Sequence, residues 1–307
     1  MKKKILVAVD SSVYSSNSLD YLIRLFRQPQ HFSIDLLATV STGGGDQNWM
    51  AEVDPQRTES TAVQQRKARA GKYLKDARSR LIRNGFPEKN ITSFVHASGE
   101  GTSSAIYHFA QKKLYDSILI GRRGVGRVGE MLLGSVSAEL LKKCHEVPIW
   151  IIDGNVTSTR FLLAAHTALC SLVAAEHLAF ILQGNPKAEI YIYHSIAFFG
   201  SPPPAEKEEF YTGWGKDWCT KHLDMETCLY KAHTQVLLDN GITENQIVQL
   251  PPHRDIHASH DLLRQAKKHQ CGSIVLGRRS RVDKGLIGGV SDRTTQKAQN
   301  MAVWLVG

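Results

Sequence analysis

Ile118-Leu119-Ile120-Gly121-Arg122-Arg123 is a short apolar run stopped by a glycine and two arginines. It returns 156 residues later as Ile274-Val275-Leu276-Gly277-Arg278-Arg279. Working outward, the offset holds. From 84 to 123 the two copies share 12 identities in 40 positions without a gap, beginning with Asn84-Gly85 and Asn240-Gly241. Further upstream, Ile5–Asp10 meets Phe161–His166, and Ile34–Leu37 meets Ile190–Tyr193. Downstream the offset drops to 154, where Val147, Ile149 and Trp150 meet Met301, Val303 and Trp304. A constant offset over so much chain marks a tandem duplication. The polar stretch 153–159 separates the copies, which gives domains 1–153 and 159–307.

Each copy alternates strand-like and helix-like segments. In the first, Lys4–Val9, Ile34–Val40, Ile91–His96, Ser117–Ile120 and Val147–Ile152 are short, β-branched and almost continuously apolar. That pattern predicts strands buried on both faces of a parallel sheet. Between them, Leu19, Leu22, Ile23 and Phe26, then Tyr73, Leu74, Ala77 and Leu81, then Ala105, Ile106, Phe109 and Ala110 recur at helical spacing. Gly85 follows the second set as a C-cap. The expected class is α/β, as two tandem doubly wound five-stranded parallel-sheet domains. Stretches 41–60 and 197–216 break the pattern and read as long loops.

Composition excludes several classes. The chain has 307 residues, 42% hydrophobic and 22% charged, which excludes disorder and collagen-like repeats. No apolar run reaches the ~18 residues of a membrane span. The apolar stretch after Met1-Lys2-Lys3-Lys4 is too short for a secretory leader. Five cysteines lack any C-x-x-C pair and read as reduced thiols. A net charge of +9 permits anionic partners without choosing among them.

The chemistry is concentrated after the fourth strand, in Gly121-x2-Gly124-x9-Gly134-Ser135-Val136-Ser137. Ligands of such sheets bind beyond the carboxyl ends of the strands, at the switch point. Glycines admit close backbone approach, and Ser135 and Ser137 open a helix whose first amides attract an anion. Arg122, Arg123 and Arg127 flank this loop and either neutralise phosphate or are solvated.

Ile5-Leu6-Val7-Ala8-Val9-Asp10-Ser11-Ser12, the G-x2-G-x9-G-S spacing, Leu132–Ser137 and Val147-Pro148-Ile149 together resemble the universal stress protein family, in its fused two-domain form. The resemblance covers nearly the whole chain. It implies an adenine nucleotide alpha-hydrolase-like fold that binds ATP, with Mg²⁺ on the phosphates. Asp10 would lie near the ribose and the metal. The backbone around Val40 would meet the adenine. Gly121, Gly124, Gly134, Ser135, Val136 and Ser137 would hold the phosphates. The resemblance also implies that Val147–Ile152 and Met301–Val306 pair across a pseudo-two-fold, so one chain imitates a homodimer. Two chains dimerising further stays open. The expected role is a cytoplasmic, nucleotide-dependent stress-response regulator. An adapter working through the second copy and a slow nucleotide hydrolase are the alternatives.

The second copy departs from this pattern. His166 replaces Asp10, Ser280 replaces Gly124 and Gly289 replaces Ser135, while Ser291 still matches Ser137. These losses predict weak or no ATP binding there. Other features carry less. Gly124-x-Gly126-x-x-Gly129 imitates a dinucleotide fingerprint but follows the fourth strand rather than the first. The cationic segment from Arg66 to Arg83 reads as a solvated helix face, without the aromatic interleaving of a nucleic-acid module. His253, His257 and His260 crowd the end of strand three and form a candidate transition-metal cluster. Glu100 stands at a strand end with no visible catalytic companion.

Overall fold

The computed structural model describes residues 2–26, 29–43, 60–124, 133–197, 206–227, 229–278 and 289–307. Two compact units divide the chain, Met1–Ile152 and Asp153–Gly307. Among the described residues, no helix is long and apolar enough to cross a membrane.

The first unit runs β1 (Lys3–Ala8), α1 (Val13–Leu25), β2 (Phe32–Ser41), α2 (Thr61–Arg83), β3 (Ile91–Ser98), α3 (Thr102–Gln111), β4 (Ser117–Gly121), α4 (Ser135–Lys143) and β5 (Ile149–Ile152). Its strands are parallel in the order β3-β2-β1-β4-β5. The direction of winding therefore reverses between β1 and β4, which leaves a crevice at their carboxyl ends. The apolar runs Ile5–Val7 and Ile118–Ile120 of the central strands are buried, as a parallel sheet covered on both faces requires. Phe26, Phe32 and Trp150 pack together beside them.

Local chemistry sets the helix ends. The Ser12 hydroxyl accepts the Ser15 N–H and caps α1. At the end of α2, Gly85 sits at φ +90°, and Phe86 and Gly85 N–H donate to Leu81 and Ile82 carbonyls. This is a Schellman cap, which positive φ reserves largely for glycine. Gly241 repeats it at φ +86°, with Ile242 N–H on Leu237. Both Asn-Gly pairs of the duplicated sequence thus stop equivalent helices.

The second unit runs β6 (Arg160–Ala164), α5 (Leu169–Leu182), β7 (Glu189–Tyr193), β8 (Ser195–Ala197), α6 (Tyr211–Trp214), α7 (Lys216–His222), α8 (Tyr230–Asp239), β9 (Ile247–Gln249), β10 (His253–Asp255), α9 (Ala258–Lys268), β11 (Ser273–Gly277), α10 (Val290–Lys297) and β12 (Ala302–Val306). Its sheet order, β9-β7-β6-β11-β12, repeats that of the first unit.

Two features differ from the sequence expectation. Residues 207–222 form successive helical turns, although 207–216 belong to the expected loop 197–216. The third strand is also broken. Pro251 and Pro252 have no N–H to donate, so pairing stops after Leu250 and resumes as the separate β8–β10 ladder. The Tyr230 hydroxyl fills the gap. It accepts the His194 N–H at 2.9 Å and donates to the Leu250 carbonyl at 2.8 Å.

A buried relay lies beneath this sheet. The His166 N–H donates to Ser171 Oγ, and the Ser171 hydroxyl donates to His233 Nε2. His233 Nδ1–H in turn donates to the Leu229 carbonyl at 2.7 Å. Burial pushes the His233 imidazole down to about 4. A histidine whose folded value is depressed stabilises the fold only while the unfolded chain is also neutral. Its contribution is full above the ordinary value near 6.5 and is lost as pH falls from there towards 4. The loss amounts to about 3 kcal/mol. Urea midpoints of the wild type should fall across this window, and His233→Gln should flatten the fall.

Candidate functional site

The crevice of the first unit is framed by the β1–α1 turn and the start of α4. The ladder between β1 and β2 ends at Ala8 and Leu37, followed by Val9 N–H on the Leu37 carbonyl. Asp10 is the next residue. Its N–H donates to Ser15 Oγ at 3.2 Å, and its Oδ1 accepts the Ser12 N–H at 2.9 Å and the Ser12 hydroxyl. One carboxylate oxygen is thereby fixed by the turn. The other, Oδ2, faces Gly124, where an added Cβ would stand only 2.9 Å away. The turn after β1 and the loop after β4 thus close on each other through a carboxylate and a residue with no side chain.

The remaining residues divide by what they do. Gly121 serves packing: a Cβ there would meet the Tyr14 backbone carbon and Cβ at 2.9 Å, so α1 rests directly on β4. Gly134 closes the base of the loop, with its N–H donated to the Arg122 carbonyl at 2.9 Å. Its amide is thus engaged within the loop. Ser137 is also engaged, because its buried hydroxyl donates to the Gly121 and Arg122 carbonyls at 3.0 and 3.3 Å. Ser135 and Val136 begin α4, where helix geometry leaves the first amides without an intrahelical acceptor. Ser135 is exposed and Val136 half-buried, so that helix end opens outward.

Arg122, expected among the nucleotide-binding residues or as a solvated cation, is 1% exposed, so it is not solvated. Arg123 is held at the surface by Tyr14, with Nη1 donating to the phenol at 3.1 Å and the guanidinium over the ring. Val40 is buried opposite Ala97 on β3. On its other side, β2 extends from Ala38 to Ser41 beyond the last β1 pair, leaving this stretch of backbone beside the Asp10 turn. Gly126, Arg127, Gly129 and Leu132 lie outside the described residues, and with them the core of the dinucleotide-like pattern.

The sequence reading missed Tyr73. It sits on α2 beside Asp10, and burial followed by the negative field of Asp10 raises its hydroxyl above the ordinary range, with Arg69 opposing. Tyr73, Asp76, Arg80 and Arg83 line a cavity of about 300 Å³ that reaches Asp10 between α1 and α2. Helical periodicity counted Tyr73 among core residues, and no pattern in one sequence reports that α2 meets the β1 turn. Elsewhere on α2 the cations find local partners: Arg78 with Glu88 at 2.8 Å, and Arg80 with Asp20. Glu100 pairs with His108 at the surface.

In the second unit His166 preserves the turn without the charge. Its Nδ1 accepts the Ala168 N–H at 3.1 Å, as Asp10 accepts from Ser12. Gly277 approaches α5 more closely than Gly121 approaches α1, with an added Cβ 2.2 Å from the Cys170 carbonyl oxygen. At Gly289 the same construction meets nothing within 4 Å. Ser280 lies outside the described residues.

Comparisons with known proteins agree with the fold. The profile of the universal stress protein family matches residues 1–153. Universal stress protein YxiE of Bacillus subtilis (strain 168) is 28% identical over 158 residues, covering 50% of this chain and 99% of that protein. Among solved structures, a universal stress protein from Archaeoglobus fulgidus DSM 4304 superposes with a TM-score of 0.64 at 16% identity, over 99% of this chain and 97% of its own. A protein described as a putative universal stress protein from Pseudomonas aeruginosa UCBPP-PA14 gives 0.54 at 13% identity, over 99% and 93%. Those two likenesses extend the fold over both units. With its first unit matched by the family profile and both units sharing one strand order, the chain belongs to the universal stress protein family, in its tandem form.

Proposed function

We propose that the first unit binds ATP and that the bound nucleotide acts as a regulatory signal in a stress response. The observation that carries this reading is Asp10. Its carboxylate is fixed by Ser12 on one oxygen and faces a side-chain-free Gly124 on the other, at the switch point of the sheet. The open amides at the start of α4 favour an anion on the same side. The extended β2 backbone near Val40 offers peptide groups to a purine edge.

The donor set also fits Mg²⁺. That ion needs one or two carboxylates when phosphates and water supply the rest, and Asp10 would hold it. Bound there, it would neutralise phosphate charge. In this reading the bound nucleotide itself is the signal, and the Ser12 hydroxyl on Asp10 serves the turn. The second unit keeps the turn but carries an imidazole in place of the carboxylate, so we infer one nucleotide per chain.

Mass spectrometry of small molecules released by denaturing the purified protein tests the ligand, with ATP at one equivalent per chain as the expected result. Calorimetry tests Asp10. Asp10→Asn retains an oxygen for the Ser12 N–H and removes only the charge. It should weaken Mg·ATP by about 1.5–3 kcal/mol, roughly 10- to 150-fold. Unchanged affinity would place the nucleotide elsewhere.

A further inference from the structure

We propose that the second unit binds one divalent transition-metal ion through His253, Asp255 and Asp261, at the point where the Arg264 guanidinium lies. His253 and Asp255 are alternate residues of β10, and Asp261 is in the first turn of α9. One ligand atom from each lies within 4.8 Å of the others. A single nitrogen, Arg264 Nη2, reaches all three. It is 2.7 Å from Asp261 Oδ1, 3.3 Å from Asp255 Oδ2 and 3.3 Å from His253 Nδ1. A cation thus already marks the focus of the three groups, and the contact to Arg264 directs the Nδ1 lone pair of His253 inward.

The supporting contacts are those of an oriented ligand set. Asp261 is fully buried, and its second oxygen accepts the Ser195 hydroxyl at 2.6 Å and the Tyr193 hydroxyl. Asp255 accepts the His257 N–H on Oδ1 at 3.2 Å and keeps Oδ2 for the centre. Each carboxylate is therefore anchored through one oxygen and presents the other, as outer-shell contacts do around bound metals. Two carboxylates face one guanidinium, a charge that a dication would match. Arg264 has a half-exposed side chain and can leave for solvent. One imidazole and two carboxylates suit zinc, cobalt, manganese or iron, with water completing the shell.

Among the described residues, this cluster forms only in the second unit. Across the gapless part of the repeat, the equivalent positions are Ala97, Gly99, Ala105 and His108. The histidines flagged with His253 in the sequence take other places: His257 precedes α9 as its N-cap residue and His260 is exposed on it. The inference does not depend on the nucleotide reading of the first unit.

Cobalt(II) titration of the full chain, followed by visible absorption, tests it. The expected result is saturable uptake of one ion per chain, weakened at least tenfold by His253→Ala and tightened at least tenfold by Arg264→Met. A merely structural arginine would not give that gain. Circular dichroism checks that each variant is folded, and Arg264→Gln replaces the methionine variant if that one is not. Zinc calorimetry provides the second readout. Three outcomes overturn the proposal: no saturable uptake by the wild type up to about 1 mM metal, uptake unaffected by His253→Ala, or looser binding when Arg264 is removed.

Discussion

Replacing Gly124 with valine should abolish ATP binding by the first unit. The Cβ alone would lie 2.9 Å from Asp10 Oδ2, closer than a carbon and a carboxylate oxygen tolerate. Valine adds two methyl groups at the same point, and its branched Cβ resists rotation away. Asp10 cannot retreat freely, because its other oxygen holds the Ser12 N–H and hydroxyl. The substitution therefore either displaces the carboxylate and loosens the cap of α1 or lifts the loop off the crevice. Each removes the nucleotide's place. Calorimetry with Mg·ATP should show affinity weakened by at least 100-fold, about 3 kcal/mol or more. A Gly124→Val protein that binds ATP normally would sink the proposed site, since the loop would then not approach Asp10 in solution.

The largest stability loss should follow from Gly277→Ala. Here the added Cβ would stand 2.2 Å from the Cys170 carbonyl oxygen and 2.4 Å from its carbon. Both are backbone atoms at the start of α5, so no side-chain rotation relieves the clash. The helix must shift off β11, opening contacts around Leu172 and Ala175, which are fully buried. A cost of about 3 kcal/mol or more follows, at or beyond the usual upper end for overpacking and a large fraction of a typical domain's stability. The equivalent Gly121→Ala meets Tyr14 at 2.9 Å and should cost less, about 1–2 kcal/mol. Urea unfolding of the two variants checks the order. Equal losses would mean that the closer approach in the second unit relaxes in solution.

The parts of the site legible in the sequence were those expressed as spacing. Gly124 stood out through its spacing after the fourth strand and Asp10 through the resemblance to the universal stress protein family, and the fold brings the two together. What the sequence did not show were the partners. Gly134 and Ser137 are expected phosphate donors; in the fold the Gly134 N–H meets the Arg122 carbonyl and the Ser137 hydroxyl meets the Gly121 and Arg122 carbonyls, bonds that exist only once the loop closes on itself. Of the two readings of Arg122, phosphate neutraliser or solvated cation, its burial removes the second. Tyr73 looked like core and instead borders Asp10. A helical period reports which residues share a face but not what that face meets.

The histidines of the second unit show the same division. Three of them near one strand end drew attention as a group, but the cluster that forms uses only His253. Its companions, Asp255 and Asp261, were silent because their meeting depends on a strand that Pro251 and Pro252 interrupt and on the helix that follows.

From the amino-acid order alone came the duplication, the α/β class, the strand and helix succession and the Asn-Gly helix stops. Those features follow from short-range periodicity and from backbone conformations that particular residues allow. Only the folded chain decided which polar groups were consumed internally and which were left for a ligand. A hydrogen bond between residues far apart in the chain depends on three-dimensional closure, and no local pattern encodes it.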